Sequence, residues 1–234
     1  MKKETKVHKI FENISSRYDI MNDIISFGMH RLWKLRLISE VTRQNPEKIL
    51  DVCCGTGDIS LLAARMNPNA SIYGLDFSEN MLKIANRRKK EADRKNTHSV
   101  RFQKGDAMNL PFEDGFFDAA VISFGLRNVS DYGRVIREMT RVVRPGGRVY
   151  CLDSSYPESS RIRPLFGLYF KSIMPFLGWI IAGSRNEYKW LNESTERFVS
   201  KGRLCKIFSQ SGLSDTGCYS HLFGVAACHR GTKT

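Results

Sequence analysis

The residues able to do chemistry sit at the ends of apolar runs. Ile49-Leu-Asp-Val52 is such a run, and it turns through Cys53-Cys-Gly-Thr-Gly-Asp58 into Ile59-Ser-Leu-Leu-Ala-Ala64. The run reads as a buried strand carrying Asp51, and the residues after the turn read as a helix. Gly55 and Gly57 fall where a strand-to-helix turn must bring bare backbone against a ligand, because a Cβ would block the approach. The helix behind them would aim its N-terminal amides and positive dipole end at that ligand. The chemistry suggested is recognition of a nucleotide-like molecule at the carboxyl edge of a parallel sheet.

Other strand tips carry acids that fit this reading. Ser71-Ile-Tyr-Gly-Leu-Asp76 ends 19 positions after Gly57. That is close to the ~20-residue spacing at which a carboxylate accepts hydrogen bonds from both hydroxyls of a ribose. A helix cap at Asp76 is the plainer alternative, since Ser78-Glu79 opens the next helical pattern. Val100–Lys104 leads to Asp106 and Ala107, placed to accept from an adenine amine and to offer a backbone amide to a ring nitrogen. Loop capping by Asp106 explains the residue equally well. A fourth strand, Phe117–Ser123, ends at Ser123, and Phe124-Gly-Leu-Arg-Asn128 lies beyond its tip.

Strands and helices alternate every 25 to 35 residues along this part of the chain, the pattern of a doubly wound, mostly parallel sheet. Two final strands without a helix between them predict an antiparallel pair at the sheet edge. Residues 1–45 read as a helical flap over the pocket or as a layer covering the sheet. Leu32, Trp33, Leu35, Leu37, Ile38 and Val41 form its apolar positions. Residues 46–234 read as the catalytic domain. Within it, 156–200 is an apolar insertion whose Leu165–Ala182 stretch is broken by Gly167, Pro175 and Gly178, which argues against a membrane span.

Composition sets the class. The chain has 234 residues, 41% hydrophobic and 26% charged, enough for one large soluble domain. Its net charge of +13 attracts polyanions in general. Stacking aromatics do not alternate with the basic residues, so nucleic acid is not the expected partner. Six cysteines show neither a CxxC pair nor zinc-type spacing with histidine, so a reduced, cytoplasmic protein without a metal is expected. The N-terminus has charge without an apolar core behind it, so no signal peptide is expected.

The glycine turn selects among nucleotides. It is Gly-Thr-Gly-Asp rather than Gly-x-Gly-x-x-Gly, and an acid at Asp58 would repel a diphosphate seated on the helix. No Gly-x-x-x-x-Gly-Lys loop is present for a triphosphate. A ligand with ribose and adenine, no phosphate and a positive charge fits better, and S-adenosylmethionine (SAM) has those features.

Leu50–Asp58, Gly74–Leu82 and Asp106–Asp114 resemble three successive motifs of class I SAM-dependent methyltransferases, and Phe116–Asp118 and Arg144-Pro-Gly-Gly147 extend the likeness. Phe11–Asn22, Ser26–Trp33 and Ser123–Asn128 more specifically resemble the ubiquinone/menaquinone-biosynthesis C-methyltransferase family. The resemblance implies a seven-stranded Rossmann-like sheet. It also implies cofactor contacts at Thr56, Asp76, Asp106, Ala107 and Ser123. The implied reaction is methylation of a polyprenylated quinol carbon, most like demethylmenaquinol to menaquinol. Leu152-Asp-Ser-Ser-Tyr-Pro157 and Phe198-Val199 depart from the family pattern in the substrate half. A phenolic carbon becomes nucleophilic when its neighbouring hydroxyl loses a proton. The candidates for that step are Arg127, as a charge facing the phenolate, and Asn128, as orienter of the hydroxyl or a water. An isolated surface ion pair explains Arg127 as well.

A benzoquinol acceptor, RNA or another small molecule, and a non-catalytic assembly role are the competing readings. The expected setting is cytoplasmic, with peripheral contact to an anionic membrane where a polyprenyl quinol resides. A second copy of the chain is a further candidate partner.

Overall fold

The computed structural model describes residues 22–23, 26–92, 99–157, 162–168 and 193–234. The N-terminal part of the expected flap and most of the apolar 165–182 stretch lie outside the described residues. In chain order the elements are α1 (Met29–Thr42), β1 (Lys48–Val52), α2 (Asp58–Met66), β2 (Ser71–Asp76), α3 (Glu79–Ala92), β3 (Val100–Lys104) and β4 (Phe117–Ser123). There follow α4 (Tyr132–Val142), β5 (Val143–Ser154), α5 (Ile162–Leu168), α6 (Lys201–Gln210), β6 (Leu213–His221) and β7 (Ala226–Lys233).

The seven strands form one sheet in the order β3-β2-β1-β4-β5-β7-β6. Strands β1 to β5 pair in parallel, whereas β7 runs antiparallel to both β5 and β6. The expected doubly wound sheet with an antiparallel C-terminal pair is therefore the observed one. The order reverses between β1 and β4, and in open α/β sheets the crevice outside the strand tips at that reversal is where ligands bind.

The sheet is buried on both faces by alternation along its strands. Leu50, Val52, Leu75 and Ile122 face α4 and α6, packing with Val135, Ile136, Met139, Leu204 and Phe208. Ile49, Ile72 and Val121 face the other way, against Trp33, Leu37, Ile38 and Val41 of α1 and Ile59, Ala63 and Ala64 of α2. The described part of the expected flap is thus a helix packed in the layer on the sheet. Its buried stripe runs His30, Trp33, Lys34, Leu37, Ile38 and Val41, at the three- and four-residue steps of one helix face. Leu32 and Leu35, which the apolar pattern groups with that stripe, point away from it and are exposed.

Arg144-Pro-Gly-Gly147, which extends the methyltransferase likeness, lies inside β5. The ladder to β4 shifts register there, between Phe117 and Ala119. The extra residues are absorbed as an irregularity in the strand rather than a break.

Candidate functional site

The tips of β1, β2 and β4, with the segment following β3, surround a cavity of about 290 Å³. Its lining includes Gly55, Asp76, Asp106, Ala107, Ser123 and Asn128, six of the residues singled out from the sequence. Asp51, Thr56, Gly57 and Arg127 are not in the lining. Cys53, Phe77, Met108, Phe124 and Ser130, which the sequence did not single out, are.

Asp76 is 6% exposed. Its Oδ2 accepts from the Gly55 amide at 2.8 Å and its Oδ1 from the Ser78 amide at 2.9 Å. It therefore caps locally and still faces the cavity, because a carboxylate offers about four acceptor positions. The ribose and capping readings are compatible. Asp106 behaves similarly: Oδ1 accepts from the Met108 amide at 2.8 Å, and the residue is exposed at the rim. The segment that carries it is held by α4. Arg134 donates to the Met108 carbonyl at 2.8 Å, and Arg141 donates to the carbonyls of Leu110 and Phe112, each at 2.8 Å.

The two glycines of the turn have different jobs. Gly55 lines the cavity with φ +55°, and a Cβ there would meet nothing within 4 Å. Its small size keeps the cavity open. Gly57, at φ +84°, precedes the first residue of α2, and a Cβ on it would come within 2.8 Å of the Phe102 ring. Its small size serves packing. Two non-glycine residues of the lining, Cys53 and Phe124, also hold left-handed backbones, each with φ +56°. Such conformations cost energy and are retained where a site needs its backbone aimed.

The residues outside the cavity form its support. Asp51 is fully buried and accepts from the Ser60 hydroxyl at 2.6 Å, tying β1 to α2. Thr56 is turned toward Arg88, which donates to its hydroxyl at 3.0 Å. Asp58 is bracketed by Lys34 and Arg88, both at 2.9 Å. Burial pushes its carboxyl upward, but the two cations outweigh that and hold it below the usual carboxylate range. Asp58 is therefore not the residue that repels a diphosphate, because its charge is already matched and it is not in the cavity lining. What disfavours an anionic ligand is the lining itself. It contains two carboxylates, Asp76 and Asp106, and among the described residues no lysine, arginine or histidine. This is in a chain of net charge +13. A cationic ligand is favoured there by the same electrostatics.

Burial raises the Asp51 carboxyl from 3.8 to about 7, and the hydrogen bonds from Ser60 offset only part of that. The folded protein thus keeps this proton between about pH 4 and 7 while the unfolded chain releases it. Asp51 accordingly lowers stability as pH rises through that window. Asp51→Asn is expected to remove a fall of ~1.4 kcal/mol per pH unit from the stability profile. Urea unfolding of both proteins across pH 4 to 8 measures this, and parallel profiles would contradict the assignment.

Arg127 and Asn128 lie on the short turn Leu126–Asn128 beyond β4. Arg127 is 5% exposed and its guanidinium donates to Asp153 Oδ1 at 2.5 Å. Its main-chain amide donates to Asp153 Oδ2 at 3.1 Å. The surface ion pair that the sequence allowed is not what is seen, since both partners are buried at the tips of β4 and β5. Asn128 reaches the cavity, and its amide donates to the Phe124 carbonyl at 3.3 Å.

The family model described as the ubiE/COQ5 methyltransferase family matches residues 1–233. The chain belongs to the ubiE/COQ5 methyltransferase family. It is 46% identical to demethylmenaquinone methyltransferase of Listeria monocytogenes and 44% identical to that of Staphylococcus saprophyticus, each over 99% of this chain and 97% of the relative. The enzyme of the same name from Geobacillus stearothermophilus is 45% identical over 99% of this chain and 98% of that one. Among solved structures, a SAM-dependent methyltransferase from Thermotoga maritima described as a possible histamine N-methyltransferase superposes with a TM-score of 0.67 at 19% identity. It covers 97% of this chain and 100% of that one. A SAM-dependent methyltransferase from Methanococcus maripaludis, described as putative, gives 0.65 at 20%, covering 95% of this chain and 93% of that one. At such identities the likeness is one of fold: the class I SAM methyltransferase sheet. No helix among the described residues is long and apolar enough to cross a membrane.

The residues of this family member fit SAM at the cavity. The Ser123 hydroxyl is buried in the lining without a hydrogen-bond partner among the described residues. A buried hydroxyl in that state costs about 1–3 kcal/mol, which a polar ligand relieves. The carboxylates, the open backbone at Gly55 and the absence of cations suit a sulfonium nucleoside better than a nucleotide phosphate.

Proposed function

We propose that the protein is a demethylmenaquinone methyltransferase, transferring a methyl group from SAM to a ring carbon of a polyprenylated naphthoquinol. The observation that carries the reading is the 44–46% identity, over nearly the whole chain, to relatives of that name. The cavity supports the donor half independently, through its acidic, cation-free lining. When bound, SAM supplies an electrophilic methyl on a positively charged sulfur.

Asp76 holds the ribose diol, with its oxygens pre-aimed by the amides of Gly55 and Ser78. Asp106 at the rim and the buried Ala107 would address the adenine, and Ser123 would satisfy its hydroxyl against the ligand. Fixing the donor in this way converts a bimolecular encounter into a positioned one, the main source of rate for a reaction whose leaving group is already good. Asn128 is the described cavity residue suited to orient the quinol hydroxyl or a water as its proton leaves. For Arg127 the geometry supports a positioning role instead of direct charge on the phenolate. Its guanidinium is already committed to Asp153, and the pair fixes the turn that delivers Asn128.

The test is incubation with methyl-labelled SAM and separate reduced demethylated naphthoquinone and benzoquinone. Label is expected in the naphthoquinol ring. Label entering the benzoquinol alone, or neither ring, would refute the assignment.

A further inference from the structure

A second cluster of chemically capable side chains lies at the far edge of the sheet, where α6 runs along β6. Lys201 donates to the Ser220 hydroxyl at 2.8 Å, and the hydroxyls of Ser209 and Thr216 share a hydrogen bond of 3.0 Å. Lys201, Cys205 and Ser209 repeat every four residues on one face of the helix. Ser220, Cys218 and Thr216 repeat every two on one face of the strand. The middle rung of this seam is a thiol pair, with the sulfurs of Cys205 and Cys218 within 4.8 Å of each other. Directly across the ladder from Cys218 is His229 of β7, and cross-strand partners hold their Cβ atoms about 4.5–5.5 Å apart. The ligating atoms of the three residues all lie within 4.8 Å of one another.

His229 is prepared as a ligand. It is 3% exposed, and its Nε2 lies 3.2 Å from the Lys201 carbonyl oxygen. A carbonyl can only accept, so Nε2 carries the proton and Nδ1 the lone pair. Nδ1 is buried with no hydrogen-bond partner among the described residues. Burial, the largest influence, brings the imidazole down to about 4, so the ring is neutral near pH 7. A backbone carbonyl fixing the tautomer of a neutral imidazole is the usual support of a metal-ligating histidine. Nothing in the chemistry of methyl transfer uses this group.

We propose that Cys205, Cys218 and His229 form a binding site for zinc(II), separate from the strand-tip cavity. Two sulfurs and one imidazole nitrogen are a soft ligand set suited to tetrahedral zinc(II), with water as the fourth ligand. Zn–S bonds of about 2.3 Å and Zn–N bonds of about 2.0–2.1 Å require the ligand atoms to close by ~1 Å. Rotation of the exposed Cys218 side chain supplies that movement. Both thiols bind as thiolates, and their two protons leave to solvent as the Zn–S bonds form. Because both sulfurs must lose a proton to bind, affinity should rise with pH. The bound ion would pin the edge strand β6 and its hairpin partner to α6.

The test uses the full-length, tag-free protein, reduced and stripped of metal, titrated with cobalt(II) as a spectroscopic probe. One equivalent should bind with thiolate-to-metal charge-transfer absorption and be displaced by zinc(II). Cys205→Ser and Cys218→Ser should each weaken binding at least ~10-fold and diminish that absorption. His229→Gln should weaken binding and keep the thiolate absorption. Zinc(II) should raise the melting temperature of the parent protein but not of Cys218→Ser. Because Cys218 is exposed, its variant remains informative if the buried His229 substitution does not fold. Absence of charge-transfer absorption at one equivalent, or an unchanged titration in Cys218→Ser, would overturn the proposal.

Discussion

Asp153→Ala is expected to lower the unfolding free energy by about 3–5 kcal/mol, the cost of leaving one member of a buried ion pair without its partner. Asp153 is 2% exposed and Arg127 5%. The carboxylate accepts from the Arg127 guanidinium and amide and from the Ser154 amide. The guanidinium Nε already has no hydrogen-bond partner among the described residues, so it has little to fall back on. Exposed pairs elsewhere should behave differently. Lys104 and Glu79 meet at 2.6 Å with side chains more than half exposed, and breaking them should cost about 0–1 kcal/mol. Replacing both buried partners together, as Arg127→Met with Asp153→Leu, should restore most of the loss, since no charge is then stranded. Denaturant unfolding of Asp153→Ala, of the double replacement and of Glu79→Ala as the exposed control measures this. A loss below ~1 kcal/mol for Asp153→Ala would show that the pair is not a structural element. It follows that loss of turnover in Arg127→Ala cannot be read as loss of a catalytic charge unless folding is measured beside it.

Asp76→Ala is expected to weaken SAM binding by about 2–4 kcal/mol, roughly 30- to 1000-fold, by removing charge-assisted hydrogen bonds to two ribose hydroxyls. Part of that loss is indirect, because Asp76 also accepts from the amides of Gly55 and Ser78 and so shapes the turn itself. A cycle with a deoxyribose analogue separates the two contributions. In the parent protein, deleting a ribose hydroxyl should cost affinity. In Asp76→Ala the same deletion should cost little. Calorimetric titrations giving equal penalties in both proteins would remove Asp76 from ribose recognition, whatever its effect on the turn.

The sequence was most informative where short-range physics decides. A short apolar run ending in an acid marked β2 at Ser71–Asp76 with the boundaries observed. Strand tips then placed Asp76, Asp106, Ala107 and Ser123 at one crevice, because parallel strands joined by helices share one carboxyl edge. Gly55 was readable for the same reason. The family likeness at residues 11–33 and 123–128 pointed to the quinol acceptor, which composition alone did not.

Only the tertiary structure decided which charges meet, since that depends on strand order and helix placement, not on neighbours in the chain. Asp58 stands beside the glycine turn, yet Lys34 and Arg88, from two different helices, match its charge and leave it outside the cavity. Arg127 is joined to Asp153, a residue 26 positions away on the adjacent strand. Leu32 and Leu35 satisfy an apolar pattern read loosely, but a helix turns by about 100° per residue and carries them to the outer face. Cys205, Cys218 and His229 have no metal-ligand spacing along the chain. An antiparallel pair and a helix folded against it bring their ligand atoms within 4.8 Å. Local sterics and periodicity set the scaffold and the cofactor crevice. The partners of each buried charge, and the second cluster at the sheet edge, are set by long-range packing that spacing along the chain does not encode.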